Sequence, residues 1–362
     1  MLRPLEIIFR YVTSSWRVLP DIIVLGEVRC GTTSLCQHLA DFELVECHTP
    51  FCLWAHPELD NKETFFFVGH YLGIVTPRHY RMCFPLKITK WWSETKRKIC
   101  GQPSKPFLSF DGCAQYLTSP TAPYLIAQAY REAGEKPPVF IACVRRPAEQ
   151  ALSWWKYENN AMKWGEGMML NKWNTSLRGK LYPPRSVEDA IDYSRSQHIE
   201  DMYQRAESLG IETVENRRFF RLPQWAVTWP GGQLSAIGRT SCFARNILRY
   251  ERVFSSTRSD KHKQALKHVS IFPIEFLRDK KSLNRFIASI LDRAAERRNN
   301  KSLFAAGIHL AESSNRLNII HRNAGSSLSR EEEVQYIRSK FAKDEDSLNS
   351  LLRVNGIPIT YE

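Results

Sequence analysis

Asp21-Ile-Ile-Val-Leu-Gly-Glu-Val-Arg-Cys-Gly-Thr-Thr-Ser-Leu35 decides the fold of this chain. Its first part, residues 22–25, is a short apolar run of the length of one buried strand. A turn bounded by Gly26 and Gly31 follows. Ser34, Leu35, His38, Leu39 and Phe42 then recur at helical spacing. Strand, glycine-bounded loop and helix form a phosphate cradle, because loop N–H groups and the positive end of the helix dipole face one concavity. The pattern Gly26-x4-Gly31 fits the opening of a nucleotide-triphosphate loop, but Thr32 stands where that loop carries lysine. A kinase or NTPase needs the lysine on the β- and γ-phosphates and a hydroxyl on magnesium. What remains is cationic Arg29 with the hydroxyls of Thr32, Thr33 and Ser34, a set suited to a less charged phosphoester bound without an obligatory metal.

The second decisive stretch is Val139-Phe-Ile-Ala-Cys-Val-Arg-Arg-Pro-Ala-Glu-Gln-Ala-Leu-Ser153. Residues 139–144 predict a buried strand. Arg145 and Arg146 stand at its carboxyl end, where open α/β sheets bind ligands. Pro147 suits the first position of a helix, and Ser153 falls about two turns into it. An arginine at a strand tip and a serine on the next helix grip one phosphate from two sides.

Between the two lies Asn61-Lys-Glu-Thr-Phe-Phe-Phe67. Packing of the three phenylalanines is expected to hold Glu63 at the edge of an apolar wall, raising its pKa toward the range of a general base. A surface Lys–Glu pair beside a buried edge strand is the plainer alternative. Phe107-Leu-Ser-Phe-Asp-Gly112 predicts a strand ending in Asp111, the position of a magnesium aspartate in an NTPase.

The chain has 362 residues, a formal net charge of +13 from 51 basic and 38 acidic residues, 43% hydrophobic and 12% aromatic content. That composition supports a packed core and excludes global disorder. The charge favours an anionic ligand, an anionic polymer or a membrane surface. No nucleic-acid-binding module is legible. The nine cysteines form no Cys-x2-Cys pair, so zinc has no support. No apolar run is long enough for a transmembrane helix. Residues 1–19 read as an amphipathic lead-in in which Glu6 and Arg10 break any signal-peptide core. Asn174 and Asn300 open glycosylation sequons. Residues 70–105 are basic and aromatic, lining an acceptor cleft or forming a solvated helix with Trp91 and Trp92 in the core.

These stretches together resemble the sulfotransferases that use 3′-phosphoadenosine 5′-phosphosulfate, in particular the Golgi carbohydrate (heparan-sulfate) type. In that family a cradle often written Lys-Gly-Gly-Thr holds the 5′-phosphosulfate; Arg29, Cys30, Gly31, Thr32, Thr33 and Ser34 match it, with Arg29 for the lysine and Cys30 for the first glycine. Its Arg-x-Pro with a serine eight residues on, which holds the 3′-phosphate, is matched by Arg145, Pro147 and Ser153. Its Lys-Glu-x-x-Phe-Phe, whose glutamate is the base, is matched by Lys62, Glu63, Phe66 and Phe67. Asp111-Gly-Cys-Ala-Gln-Tyr-Leu117 is similar to the family's acid-to-Tyr-Leu segment. The match is specific over residues 20–160 and looser beyond.

The resemblance implies an α/β fold of the P-loop-containing, three-layer kind, a mostly parallel sheet with helices on both faces. It implies a single sulfotransferase domain over residues 20–355, with insertions near 68–105 and 155–185. It implies sulfuryl transfer from 3′-phosphoadenosine 5′-phosphosulfate to a hydroxyl, without metal, with Glu63 and Arg29 catalytic. The expected partner is an anionic or carbohydrate acceptor, not nucleic acid. Membrane association is expected only through an amino-terminal anchor absent from this sequence; Golgi lumen follows from the resemblance, a soluble cytoplasmic protein from a complete amino terminus. A nucleotide kinase or NTPase and a non-catalytic anion-binding relative are the rival readings. Further along, the sequence predicts a helix from Ser186 to about residue 206, a helix over 233–243, a strand over 246–250 closing with Glu251, a basic solvated helix over 282–298, a polar nucleotide-covering loop at 321–325 with Arg322, and a closing helix capped by Ser329.

Overall fold

The structure, a computed structural model, describes residues 2–41, 46–48, 62–68, 77–100, 107–163, 186–215, 222, 224–227, 229–230, 233–255, 265–297 and 331–361. In chain order the elements are α1 (Leu2–Val12), a 3-10 turn (Ser14–Trp16), β1 (Ile22–Gly26), α2 (Thr32–Ala40), β2 (Glu46–His48), α3 (Pro77–Met82), α4 (Lys87–Ile99) and β3 (Phe107–Asp111). Then follow α5 (Ala122–Ala133), β4 (Val139–Val144), α6 (Pro147–Lys163), α7 (Val187–Arg195), α8 (Gln197–Glu215), α9 (Gln224–Val227), α10 (Gln233–Arg239) and α11 (Phe243–Phe254). The chain continues through β5 (Val269–Pro273), a second 3-10 turn (Ile274–Arg278), α12 (Lys280–Arg297) and α13 (Glu331–Val354).

The apolar runs at 22–25 and 139–144 are strands, and they are neighbours. The strands form one parallel sheet in the order β2-β3-β1-β4-β5. Every residue of β1, β3 and β4 is buried, as a parallel sheet covered by helices on both faces requires. The expected α/β architecture is the observed one. From β1 the chain moves toward β3 and β2, then returns across β1 to β4 and β5. Such a reversal opens a crevice at the carboxyl ends of the two strands that flank it. Because β1 and β4 are hydrogen-bonded in parallel, the loops carrying Arg29 and Arg145 leave the sheet at the same edge.

Gly26 ends β1 where no other residue fits without strain. Its φ is +129°, and a Cβ there would lie 2.7 Å from the Ala114 carbonyl oxygen. The segment after β3 crosses the end of β1 at that point, and the Leu117 N–H donates to the Leu25 carbonyl at 2.7 Å.

Several expectations are corrected. Residues 246–250 are helix, not strand: Phe243, Ile247 and Tyr250 recur at helical spacing and are buried in α11. Its Glu251 carboxylate accepts from the N–H groups of Lys267 at 2.7 Å and His268 at 3.0 Å, leading into β5, a strand the sequence did not announce. Ser186 does cap a helix, its Oγ accepting from the Asp189 N–H at 3.2 Å, but Ser196 is extended and splits the predicted helix into α7 and α8. The helix predicted over 233–243 stops at Arg239, and α11 begins at Phe243. The basic helix α12 is solvated on one face only, since Leu283, Ile287, Ile290 and Leu291 are core. Trp91 and Trp92 are each 58% exposed instead of lying in the core. The 321–325 loop with Arg322, both sequons and Ser329 lie outside the described residues.

Candidate active site

The loop between β1 and α2 is clamped from beneath. The Glu27 N–H donates to the Cys143 carbonyl of β4 at 3.0 Å. The Gln150 amide of α6 donates to the Val28 carbonyl at 3.1 Å. Glu27 itself is fully buried; one carboxyl oxygen accepts from the Val28 N–H at 3.0 Å and the other meets the Thr118 hydroxyl. Burial pushes this carboxyl up to about 8, against the opposing effect of those hydrogen bonds. Glu27 was not singled out from the sequence. An acid set between apolar residues in a glycine-bounded loop was the available signal.

Above this base the loop turns outward. Arg29 adopts the left-handed conformation, φ +64°, and Gly31 caps α2 with φ +79°. A Cβ on Gly31 would meet Leu277 at 2.7 Å. Thr32 is buried, whereas Thr33 and Ser34 are exposed on the first turn of α2. Cys30 is fully buried, and burial raises its thiol well above the ordinary range, so it is no nucleophile.

The Arg29 side chain reaches across to α6. Its Nε donates to Ser153 Oγ at 3.1 Å, and its guanidinium lies 5.2 Å from the centre of the Tyr157 ring. Partial desolvation, with a further contribution from the nearby Arg145 charge, holds its pKa below the usual arginine value. The structure thus brings Arg29, Arg145 and Ser153 together. Arg145 does not bond Ser153 directly: its Nε and Nη2 donate to Glu149 Oε2 at 3.1 and 3.0 Å. Arg146 turns away and holds α13 through Glu345, at 3.2 and 3.1 Å.

Residues 62–68 lie at the carboxyl end of β3, the other neighbour of β1. The Gly112 N–H donates to the Lys62 carbonyl at 2.7 Å. Asp111, fully buried, is the anchor. Its carboxylate accepts from the Thr64 N–H at 3.1 Å and hydroxyl at 2.7 Å, from Tyr80 at 3.1 Å and from Tyr116 at 3.0 Å. Burial nonetheless pushes it up to about 6. With its oxygens so occupied, Asp111 is a fastening and not a magnesium ligand. Phe66 and Phe67, of the three phenylalanines expected to pack, join Tyr80 and Tyr116 in an aromatic wall, with neighbouring ring centres 4.6 to 5.5 Å apart.

Glu63, in the same segment, is partly buried and paired. The Lys62 ammonium is ion-paired with its carboxylate and lies 3.4 Å from the Gly112 carbonyl oxygen. Burial lowers the pKa of Lys62, and Glu63 with the neighbouring thiols more than offsets this, so the lysine stays charged. Phe65, two residues after Glu63, is left-handed with φ +52°. Arg29 and Phe65 are the two non-glycine residues of positive φ among the described residues, and both stand at this edge.

No protein-family model matches the chain, and no curated protein matches it. Among solved structures it is similar to a sulfotransferase from Alicyclobacillus acidocaldarius, over 94% of this chain and 98% of that one, with 13% sequence identity and a TM-score of 0.41.

Proposed function

We propose that this protein is a sulfotransferase that moves the sulfuryl group of 3′-phosphoadenosine 5′-phosphosulfate to a hydroxyl of a carbohydrate. The observation that carries the reading is the hydrogen bond from Arg29 to Ser153, two residues 124 positions apart in sequence. It joins the cradle after β1 to the helix after β4, so one extended polyanion can be held by both. The neighbouring positive charges of Arg29 and Arg145 favour such a ligand, because its anionic groups relieve their mutual repulsion.

In this reading Arg29 and the N–H groups over residues 31–34 hold the 5′-phosphosulfate, with the hydroxyls of Thr33 and Ser34 open to it. Arg145 and Ser153 hold the 3′-phosphate, which competes with Glu149 for Arg145. Glu63, oriented by Lys62, takes the proton of the acceptor hydroxyl. The acceptor oxygen forms the new S–O bond as the bond from sulfur to the 5′-phosphate oxygen breaks. Adenosine 3′,5′-bisphosphate leaves, and the charge growing on its bridging oxygen is stabilised by Arg29 and the amino end of α2. The carbohydrate assignment rests on the Lys62-Glu63-x-x-Phe66-Phe67 segment and its resemblance.

The test is incubation with labelled sulfate donor and a panel of polysaccharides, lipids and small alcohols. Transfer to a saccharide is expected, with Glu63→Gln inactive yet still binding adenosine 3′,5′-bisphosphate. Full activity of that variant refutes the base; no transfer to any acceptor refutes the reaction.

A further inference from the structure

Helix α1 is amphipathic in the reverse sense. Leu5, Ile8, Phe9 and Val12 fall at i, i+3, i+4 and i+7, one face of a helix. All four are between 55% and 69% exposed, and Trp16 in the following turn is 68% exposed. Ile7 packs toward the core beside a partly buried Arg10, while Glu6 stays exposed. Arg10 donates to the Met82 carbonyl at 3.0 Å and to Glu6 at 2.9 Å. Buried Arg17 donates to the Phe84 carbonyl at 2.7 Å. A helix covering a core does the opposite.

Helix α4 repeats the pattern. Ile88, Trp91, Trp92 and Ile99 fall at i, i+3, i+4 and i+11 and are 58–77% exposed. The two stripes start from one junction: Arg17 and Leu86 form a β-bridge, and the Val18 N–H donates to the Pro85 carbonyl at 3.0 Å. Apolar exposure gathered like this marks a contact surface, unlike scattered single residues.

Charge identifies what covers it. Helix α4 carries Lys87, Lys90, Lys96, Arg97 and Lys98 against the single acid Glu94, and Lys87 and Lys96 are exposed beside the stripe. The whole chain is +13. A second copy would bring the same positive charge to the contact. An anionic bilayer complements it, and its headgroup region is where tryptophan and lysine sit beside apolar side chains. Among the described residues no helix is long and apolar enough to cross a membrane, so the contact lies in the plane of the interface.

We propose that the outward faces of α1 and α4, with Trp16 between them, form a docking surface for an anionic membrane. Membrane contact then does not depend on an anchor elsewhere in the chain, and the surface stands or falls independently of sulfuryl transfer. The experiment is flotation of the full chain with phosphatidylcholine vesicles, with and without phosphatidylserine, alongside tryptophan fluorescence. The protein is expected to float with the anionic vesicles, its emission shifting to the blue, and to bind neutral vesicles more weakly. Ile8→Glu with Val12→Glu, and separately Trp91→Ser with Trp92→Ser, are expected to cut the bound fraction at least about tenfold with unchanged melting temperatures, since the replaced side chains face solvent. Protein that stays at the bottom of both gradients overturns the proposal. So does undiminished flotation of the chain carrying all four substitutions. A dimer that these substitutions split, without vesicle binding by the parent, overturns it in favour of a second copy.

Discussion

Replacing Glu27 by glutamine separates charge from shape beneath the loop. The carboxyl is fully buried and pushed up to about 8 from an ordinary 4.5. Below about pH 4.5 it carries a proton in the folded and the unfolded chain alike, and contributes no difference. Between 4.5 and 8 the unfolded chain gives the proton up and the folded chain keeps it. Folding stability therefore falls as pH rises, by about 1.4 kcal/mol per unit, reaching a loss of about 3 kcal/mol at neutral pH and levelling off above about 8. Glutamine keeps an oxygen for the Val28 N–H and offers an amide N–H to Thr118, copying the protonated form without its titration. Glu27→Gln is expected to be the more stable protein by about 3 kcal/mol near pH 7, with the gap closing as pH falls toward about 4.5. Urea unfolding followed by tryptophan fluorescence across that range measures it. Equal pH slopes for the two proteins, or a variant less stable at neutral pH, refute a protonated Glu27. Binding adds a second reading of the same group. An anion on the loop disfavours a carboxylate directly below, so bisphosphate affinity in the parent chain is expected to weaken as pH rises through 8, and not in the glutamine variant.

Arg145→Ala combined with Ser153→Ala is expected to lower adenosine 3′,5′-bisphosphate affinity about 10- to 100-fold by calorimetry, the loss of one or two charge-assisted hydrogen bonds; unchanged affinity removes the second grip. Glu149→Gln releases Arg145 from a half-exposed pair worth under about 1 kcal/mol, so the bisphosphate is expected to bind up to about fivefold more tightly. Weaker binding by that variant shows that Glu149 positions Arg145 instead of competing for it. Asp111→Ala strips a buried acceptor from Thr64, Tyr80 and Tyr116 and is expected to cost about 3–5 kcal/mol of stability in urea; a melting curve like that of the parent chain shows that residues 62–68 are held by other means.

What the sequence displays and what it hides divide along a physical line. The runs at 22–25 and 139–144 are legible because burial on both faces of a parallel sheet demands unbroken apolar residues, and glycine or proline punctuates each end. The strand misread at 246–250 holds three apolar residues in five, but the buried Phe243, Ile247 and Tyr250 extend the pattern at helical period, so the longer window decides. The stripe 88, 91, 92 and 99 was legible as a helix face, yet periodicity does not say which face meets water; here the tryptophans do. Glu27 is hidden for another reason. Its burial is imposed by Thr118 and by the strand of Cys143, more than ninety positions away, and no local pattern carries that.

The departures from local preference converge on one place. Left-handed Arg29 and Phe65 stand where glycine is the unstrained choice. Glu27 and Asp111 are acids sealed from water where apolar residues are the stable choice. The first pair aims a guanidinium toward Ser153 and turns the chain just after Glu63; the second pair fastens the two loops from below. All four lie at the carboxyl edge formed by β1 and β3. Each of them costs stability that simpler residues would not, and a cost concentrated at a single edge of the sheet is what a binding and reacting surface requires. The strand–loop–helix order of the two segments was foreseeable; that the strain and the buried charge share one foundation follows only from the order of the strands.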